Sequence, residues 1–249
     1  MGRRTLASIA RKHGIDFLEM SAQDDAETAR WIAARRPDLG CVSAISRLLP
    51  ASIFEIPAHG FINLHPSLLP KFRGPFPLLW HFLTFERRGG VTVHAVDAGE
   101  DTGAVFARRA LDIEVGETID RLTDRLASLG AGLLVEVVSE IAAGCATATP
   151  QPEGPAPPRA RRLRRREQPV DWEGWPIEHL FHVLRGLHGW TLPPPKWAWL
   201  FRWEVRAFER GRCDLPPRSI GRDARGRFAA HAEGKIRLKR SLRFPLPRI

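Results

Sequence analysis

At 249 residues, 43% of them hydrophobic, the chain holds enough apolar material to bury a core in one large or two small domains, and its composition excludes a disordered protein. Three cysteines, Cys41, Cys145 and Cys213, stand far apart without any C-x-x-C, which argues against a disulfide framework or a zinc site and for a reducing cytoplasm. The net charge of +10 is unevenly held: 22 Lys and Arg against 10 Asp and Glu follow Pro150, so the chain's 38 and 28 leave 16 against 18 before it, and the field that attracts a polyanion belongs to the C-terminal part.

Thr5 to His13 carries Leu6, Ile9 and Ala10 at helical spacing and stops at Gly14, which predicts a helix followed by a short strand over Ile15 to Leu18. Arg3, Arg4, Arg11 and Lys12 on this amphipathic start have the look of an organelle transit peptide, but the stretch reads better as a domain helix. Neither a secretory leader nor an apolar run of membrane-spanning length is present, so no membrane partner is expected. A second helix is expected from a capping box of Ser21 and Asp24 to the stop at Pro37. Leu39 to Ile45, Phe61 to Leu64 and Val91 to Val96 read as strands, with helical material over Pro77 to Phe85. This alternation predicts an α/β fold with a parallel sheet.

Thr118 is placed to cap a helix bearing Ile119, Leu122 and Leu126, and Gly130 to separate it from a run through Leu133, Val137 and Ile141. Residues 146 to 169, with Pro150, Pro152, Pro155, Pro157 and Pro158 and then six arginines between Arg159 and Arg166, read as a linker or an exposed crossing strand. The run is either a solvated connection or, with the tryptophans that follow, a nucleic-acid surface. It separates domains expected at residues 1–145 and 170–249. Phe228 to His231 and Lys235 to Leu238 flank Ala232-Glu233-Gly234 like a hairpin, so the second domain should be small and β-rich. His179 and His182 lie three apart without a third ligand at a supporting spacing, which reads as an amphipathic helix and not as a metal pair.

Two stretches carry chemistry: Asn63-Leu64-His65-Pro66-Ser67-Leu68-Leu69-Pro70 and Asp97-Ala98-Gly99-Glu100-Asp101-Thr102-Gly103. An amide, an imidazole and a carboxylate together can stabilise an oxyanion and move one proton, the needs of acyl transfer to an amine. Asn63 and His65 point to the same side of an extended strand. A neighbouring carboxylate is expected to favour the protonated imidazole, and the glycines of the second stretch allow backbone to approach a flat ring closely.

Together with Lys71-Phe72-Arg73-Gly74-Pro75-Phe76-Pro77 and Gly90-Val91-Thr92-Val93-His94, the two stretches resemble the 10-formyltetrahydrofolate-dependent formyltransferases. Val170-Asp171-Trp172 and Trp203-Glu204-Val205 look like the region joining and opening the second domain of the methionyl-tRNA branch of that family. The resemblance implies a Rossmann-like catalytic domain and a formyl group moved from 10-formyltetrahydrofolate to a primary amine, such as that of initiator methionyl-tRNA, without a metal. It assigns catalysis to Asn63, His65 and Asp101, the Asp directly before Thr-Gly, in preference to Asp97. It assigns the pterin pocket to Ser46, Leu48 and Leu49 within Ser43 to Pro50, and to Asp97, Gly99 and Gly103. It also implies a strand, helix and second strand ahead of the first helix. Without them the sheet is expected to keep unpaired edges and the chain alone to be a poor folate enzyme. A sugar-nucleotide amine formyltransferase and a truncated, silent homologue that retains RNA binding are the alternatives.

Overall fold

The structure is a computed structural model that describes residues 5–20, 24–45, 47–152, 158–164, 167, 169–187 and 201–242. The first helix, α1 (Leu6–Lys12), is capped by Thr5, whose side chain accepts from the Ser8 N–H at 3.2 Å. The expected strand over Ile15 to Leu18 does not form. No strand lies beside it among the described residues, and Ile15 and Phe17 stay exposed with Leu6, Ile9 and Met20. Helix α2 (Asp25–Arg35) is capped by Asp24 itself, which accepts from the Glu27 N–H at 2.7 Å; Ser21 lies outside the described residues. The helix stops at Arg36, held left-handed, because Pro37 disfavours helical backbone in the residue before it.

Sheet A runs in the order β1 (Gly40–Ser43), β2 (Phe61–His65), β3 (Arg88–Ala95), β4 (Val105–Asp112). Only β1 and β2 are parallel; β3 is antiparallel to both of its neighbours, which corrects the parallel sheet expected from the alternation of elements. The reason lies in the connection after His65. It folds into α4 (Pro77–Leu83) and returns at the same end of β2, so His65 pairs with Thr92 and Ile62 with Ala95. The short helix α3 (Ala51–Phe54) sits between β1 and β2 in sequence and buries Ile53 with Val42 and Leu49.

One face of sheet A is covered by α5 (Ile119–Ala142), capped by Thr118. Its buried stripe, Leu122, Leu126, Gly130, Leu133, Val137 and Ile141, follows the helical period and packs with Ile62, Val91 and Val93. Each large apolar side chain so buried contributes about 1.5–3 kcal/mol. The helix runs unbroken through Gly130, against the expected division there. A Cβ at that position would come within 2.7 Å of Leu64, so the glycine serves the close approach of helix and sheet.

The C-terminal unit is an antiparallel sheet in the order β5 (Phe201–Arg210), β8 (Gly234–Leu242), β7 (Gly226–His231), β6 (Ile220–Asp223). The expected hairpin forms, with His231 paired to Gly234 across the turn. Helix α6 (Ile177–Gly186) joins the two halves: Leu180 and Leu184 pack with Val205 and Ile236, while Val183 belongs to the core under sheet A.

His179 and His182, expected as polar residues of an amphipathic helix, are buried at this junction. His179 stacks on Trp175 at 3.9 Å and on Phe85 at 4.9 Å. His182 stacks on Phe82 at 4.5 Å, its Nδ1 accepts from the Gly116 N–H at 3.0 Å, and its Nε2 has no hydrogen-bond partner among the described residues. Burial first, then the charges of Arg87 and His179, push its pKa down to about 4. A histidine depressed in the folded state leaves stability whole above the unfolded value near 6.5, and stability falls as pH drops from there toward 4 because the unfolded chain takes up the proton first. Denaturant titrations at pH 7 and pH 5 should therefore show a loss to which His182 contributes about 2 kcal/mol. That share should be missing from His182→Gln, which keeps an acceptor for Gly116; an identical loss in the variant would contradict the assignment.

Candidate active site

The two-residue period of β2 puts Leu64 against α5 and turns Asn63 and His65 to the opposite face, where β3 sets His94 beside Asn63 and Thr92 beside His65. Two loops cover this polar strip. Residues 66–76 are tied down through Thr92, whose hydroxyl donates to Ser67 O at 2.6 Å and accepts from the Leu69 N–H at 3.1 Å. His65 Nε2 meets Phe72 O at 2.9 Å, which fixes Nε2 as the protonated nitrogen and leaves Nδ1 bare in the neutral ring.

Residues 96–104 bring in Asp101. Its Oδ2 accepts from the Gly74 N–H at 2.8 Å and lies 3.5 Å from His65 Nδ1. Its Oδ1 accepts from Asn63 Nδ2 at 3.2 Å and lies 3.5 Å from His94 Nε2. Asn63 Nδ2 also reaches His94 Nε2 at 3.1 Å, so both of its protons are engaged, while His94 Nδ1 meets Ala95 O at 2.8 Å. Asn63, His65 and Asp101 thus come together as expected, and His94 joins them.

The loop that holds Asp101 is built by Asp97, whose Oδ1 accepts from the Gly99 N–H at 3.1 Å and the Thr102 hydroxyl at 2.7 Å. A Cβ on Gly103 would overlap the Ala95 carbonyl, so only glycine lets the loop close onto the sheet. Asp101 itself sits at φ 53°, in the left-handed region.

The electrostatics differ from the sequence expectation at one point. Burial lowers the His65 pKa and outweighs the raising influence of Asp101, so the imidazole is held neutral. For Asp101, burial alone would raise the pKa, but its neighbours, His94 first and then His65 and the Gly74 N–H, bring it below the ordinary carboxylate range. At neutral pH the cluster is an ionised carboxylate facing a bare ring nitrogen.

Beside the Asp97–Gly103 loop, Leu48, Leu49, Pro50, Ala51, Phe54, Asp25 and Ala98 line an open pocket of about 330 Å³, a size at the lower end of small-molecule sites. Leu48 and Leu49 are residues the sequence placed on the pterin wall. Ser46 lies outside the described residues, and Asp97, Gly99 and Gly103 shape the loop. Arg47 pairs with Asp25 at 2.6 Å and its buried Nη2 has no hydrogen-bond partner among the described residues. Sequence reasoning missed Arg47 and His94. His94 stood in the Gly90 to His94 stretch of the resemblance without a role, and its place beside Asn63 needed the β2–β3 register to be read. Among the described residues no group of three or more His, Cys, Asp or Glu is disposed to hold a metal ion, and no helix is long and apolar enough to cross a membrane.

Residues 5–138 match the formyl transferase family. The methionyl-tRNA formyltransferase of Geobacter metallireducens is 35% identical over 73% of this chain and 58% of its own length. The chain thus spans less than two thirds of the length of that relative. A glycinamide ribonucleotide transformylase from Symbiobacterium toebii is 28% identical, superposes with a TM-score of 0.53 and covers 57% of this chain and 71% of its own. An N-formyltransferase from Helicobacter canadensis, solved with folinic acid and dTDP-3-aminofucose, shares the fold over 94% of this chain and 81% of its own at a TM-score of 0.67 and 15% identity.

Ring-nitrogen NMR titration should place the His65 midpoint below the ordinary histidine value near 6.5. Asp101→Asn, by removing the largest influence that raises it, should move that midpoint further down; an unmoved or raised midpoint would contradict the assignment.

Proposed function

The chain belongs to the formyl transferase family, and from that premise we propose that it moves a formyl group from 10-formyltetrahydrofolate to a primary amine, with initiator methionyl-tRNA as the acceptor. The observation that carries this reading is the meeting of Asn63, His65 and Asp101 on one partly buried strip, with a pocket at the neighbouring loop. The pocket's Leu48, Leu49, Pro50, Phe54 and Ala98 fit a flat ring. Arg47, paired with the pocket's Asp25, has an Nη2 without a partner among the described residues, a donor of the kind a heteroaromatic ring accepts from.

The donor supplies an electrophilic formyl carbon: the amine nitrogen bonds to it, and the bond to the folate nitrogen breaks. Asn63 presents its amide N–H groups to the oxygen that gains negative charge, one of them passing from Asp101 to that oxygen. His65, neutral with a bare Nδ1, takes the proton the amine loses, and ionised Asp101 at 3.5 Å stabilises the resulting imidazolium. The same proton then leaves on the folate nitrogen, so the site ends as it began. His94 and the Gly74 N–H hold the carboxylate in place.

Methionyl-tRNA is favoured as acceptor by the identity to relatives of that name and by the positive charge that follows Pro150. Arg159 pairs with Glu100 on the Asp101 loop, and Arg161 with Glu167 while its carbonyl accepts from Trp80 Nε1 at 2.8 Å. The first part of the arginine run is therefore pinned next to the site, where an acceptor's phosphates would approach.

Asn63→Ala should lower the rate of formyl transfer to methionyl-tRNA by about a hundredfold, and His65→Ala by a comparable amount, as loss of one oxyanion donor or one general base does elsewhere. Full activity in both variants, measured with labelled formyl donor, would sink the assignment, and a strong preference for a sugar-nucleotide amine over methionyl-tRNA would assign the other acceptor.

A further inference from the structure

After α5 the chain turns back, and Thr149 pairs with Val105 through hydrogen bonds of 2.8 and 2.9 Å at the start of β4. This bridge delivers Gln151 to the underside of the Asp101 loop. The Gln151 amide nitrogen donates to Asp101 O and Gly103 O, each at 2.9 Å. Its oxygen accepts from Arg73 Nε at 3.1 Å and Arg73 Nη2 at 2.6 Å. Two carbonyls can be met only by the NH2 group and a guanidinium only by the oxygen, so the amide has one orientation and all of its hydrogen-bonding capacity is used.

The bonds close a ring. Asp101 is gripped at its side chain by the Gly74 N–H and at its backbone by Gln151, and Gln151 is held in turn by Arg73, the neighbour of Gly74. Asp101 needs such a hold, since its backbone at φ 53° is costly for a residue with a side chain. Its carboxylate stands 3.5 Å from both imidazoles, where a small rotation of the following peptide would swing it away. Loop 66–76 follows β2 and loop 96–104 follows β3, and the Gln151 side chain bonds to both at once.

We propose that Gln151 is a positioning residue for the formyl-transfer site, its carboxamide locking the Asp101 and Arg73 loops together so that the Asp101 carboxylate faces His65 and His94. The inference rests on the formyl-transfer reading for its kinetic consequence but not for its structural one. A glutamate at 151 matches glutamine in shape and keeps the bonds to Arg73, yet offers no proton to the two carbonyls. Asp101 would then lose its backbone hold although the segment stays docked.

The test compares the wild-type chain with Gln151→Ala and Gln151→Glu. Both variants should lower kcat by about tenfold to a hundredfold, the range expected when a reacting group is displaced by an ångström, with KM for 10-formyltetrahydrofolate within about twofold of wild type. In Gln151→Ala the His65 titration midpoint should move toward that of Asp101→Asn. A kcat near wild type in either variant overturns the proposal, as does a fall in kcat that only follows the fraction of chain unfolded at the assay temperature. The two readings separate cleanly. A wild-type chain that transfers no formyl group sinks the function, and the His65 titration still decides Gln151: an unmoved midpoint in Gln151→Ala overturns its role.

Discussion

The half-buried carboxylate of Asp101 is the constraint on which the site depends. A charge drawn partly out of water is costly unless its lone pairs are met, and here a backbone N–H and an amide donate to it while two imidazoles stand at 3.5 Å. The left-handed backbone at Asp101, the glycine at 103 and the Asp97 turn are the local means of bringing it there. Each group that satisfies the carboxylate is itself held: Asn63 and His94 by the β2–β3 register, His65 by Phe72 O, Gly74 by the loop whose carbonyl at Arg73 accepts from the Ala160 N–H at 2.7 Å.

Sheet A makes this affordable by sorting its two faces. Ile62, Leu64, Val91 and Val93 go to α5, and the alternate residues Asn63, His65, Thr92 and His94 go to the loops. Strong apolar burial on one side thus anchors a polar cluster on the other. Continuity with the C-terminal sheet runs through α6, which shares its apolar residues between the two cores and packs His182 on Phe82 of α4. At the other edge β1 pairs only with β2, and no strand lies on its far side among the described residues.

Much of this was legible in the sequence because it depended on local period. Asn63 and His65, two apart on a strand, had to share a face, and the α5 stripe from Leu122 to Ile141 declared its buried side. Strand direction was not legible: the stretch between His65 and Arg88 is long enough for a crossover or a return, and only packing decides. Gly130 read as a breaker since the contact that demands it, Leu64, lies far away in sequence. The same non-locality hid His94, and it hid Gln151, which sits in a proline-rich stretch with no motif around it. The protonation of His65 was misread because the neighbouring carboxylate was visible and the burial was not.

Under the proposed function, one ionised carboxylate, Asp101, makes this strip a formyl-transfer site and not merely a polar cluster. The most direct test is a single-turnover measurement with the chain in excess over formyl-labelled 10-formyltetrahydrofolate and methionyl-tRNA, run on wild type and Asp101→Asn. Label should pass to the α-amino group with the wild type and slow by about a hundredfold or more in the variant, while binding of the donor is unchanged. Equal single-turnover rates in the two proteins would contradict the account.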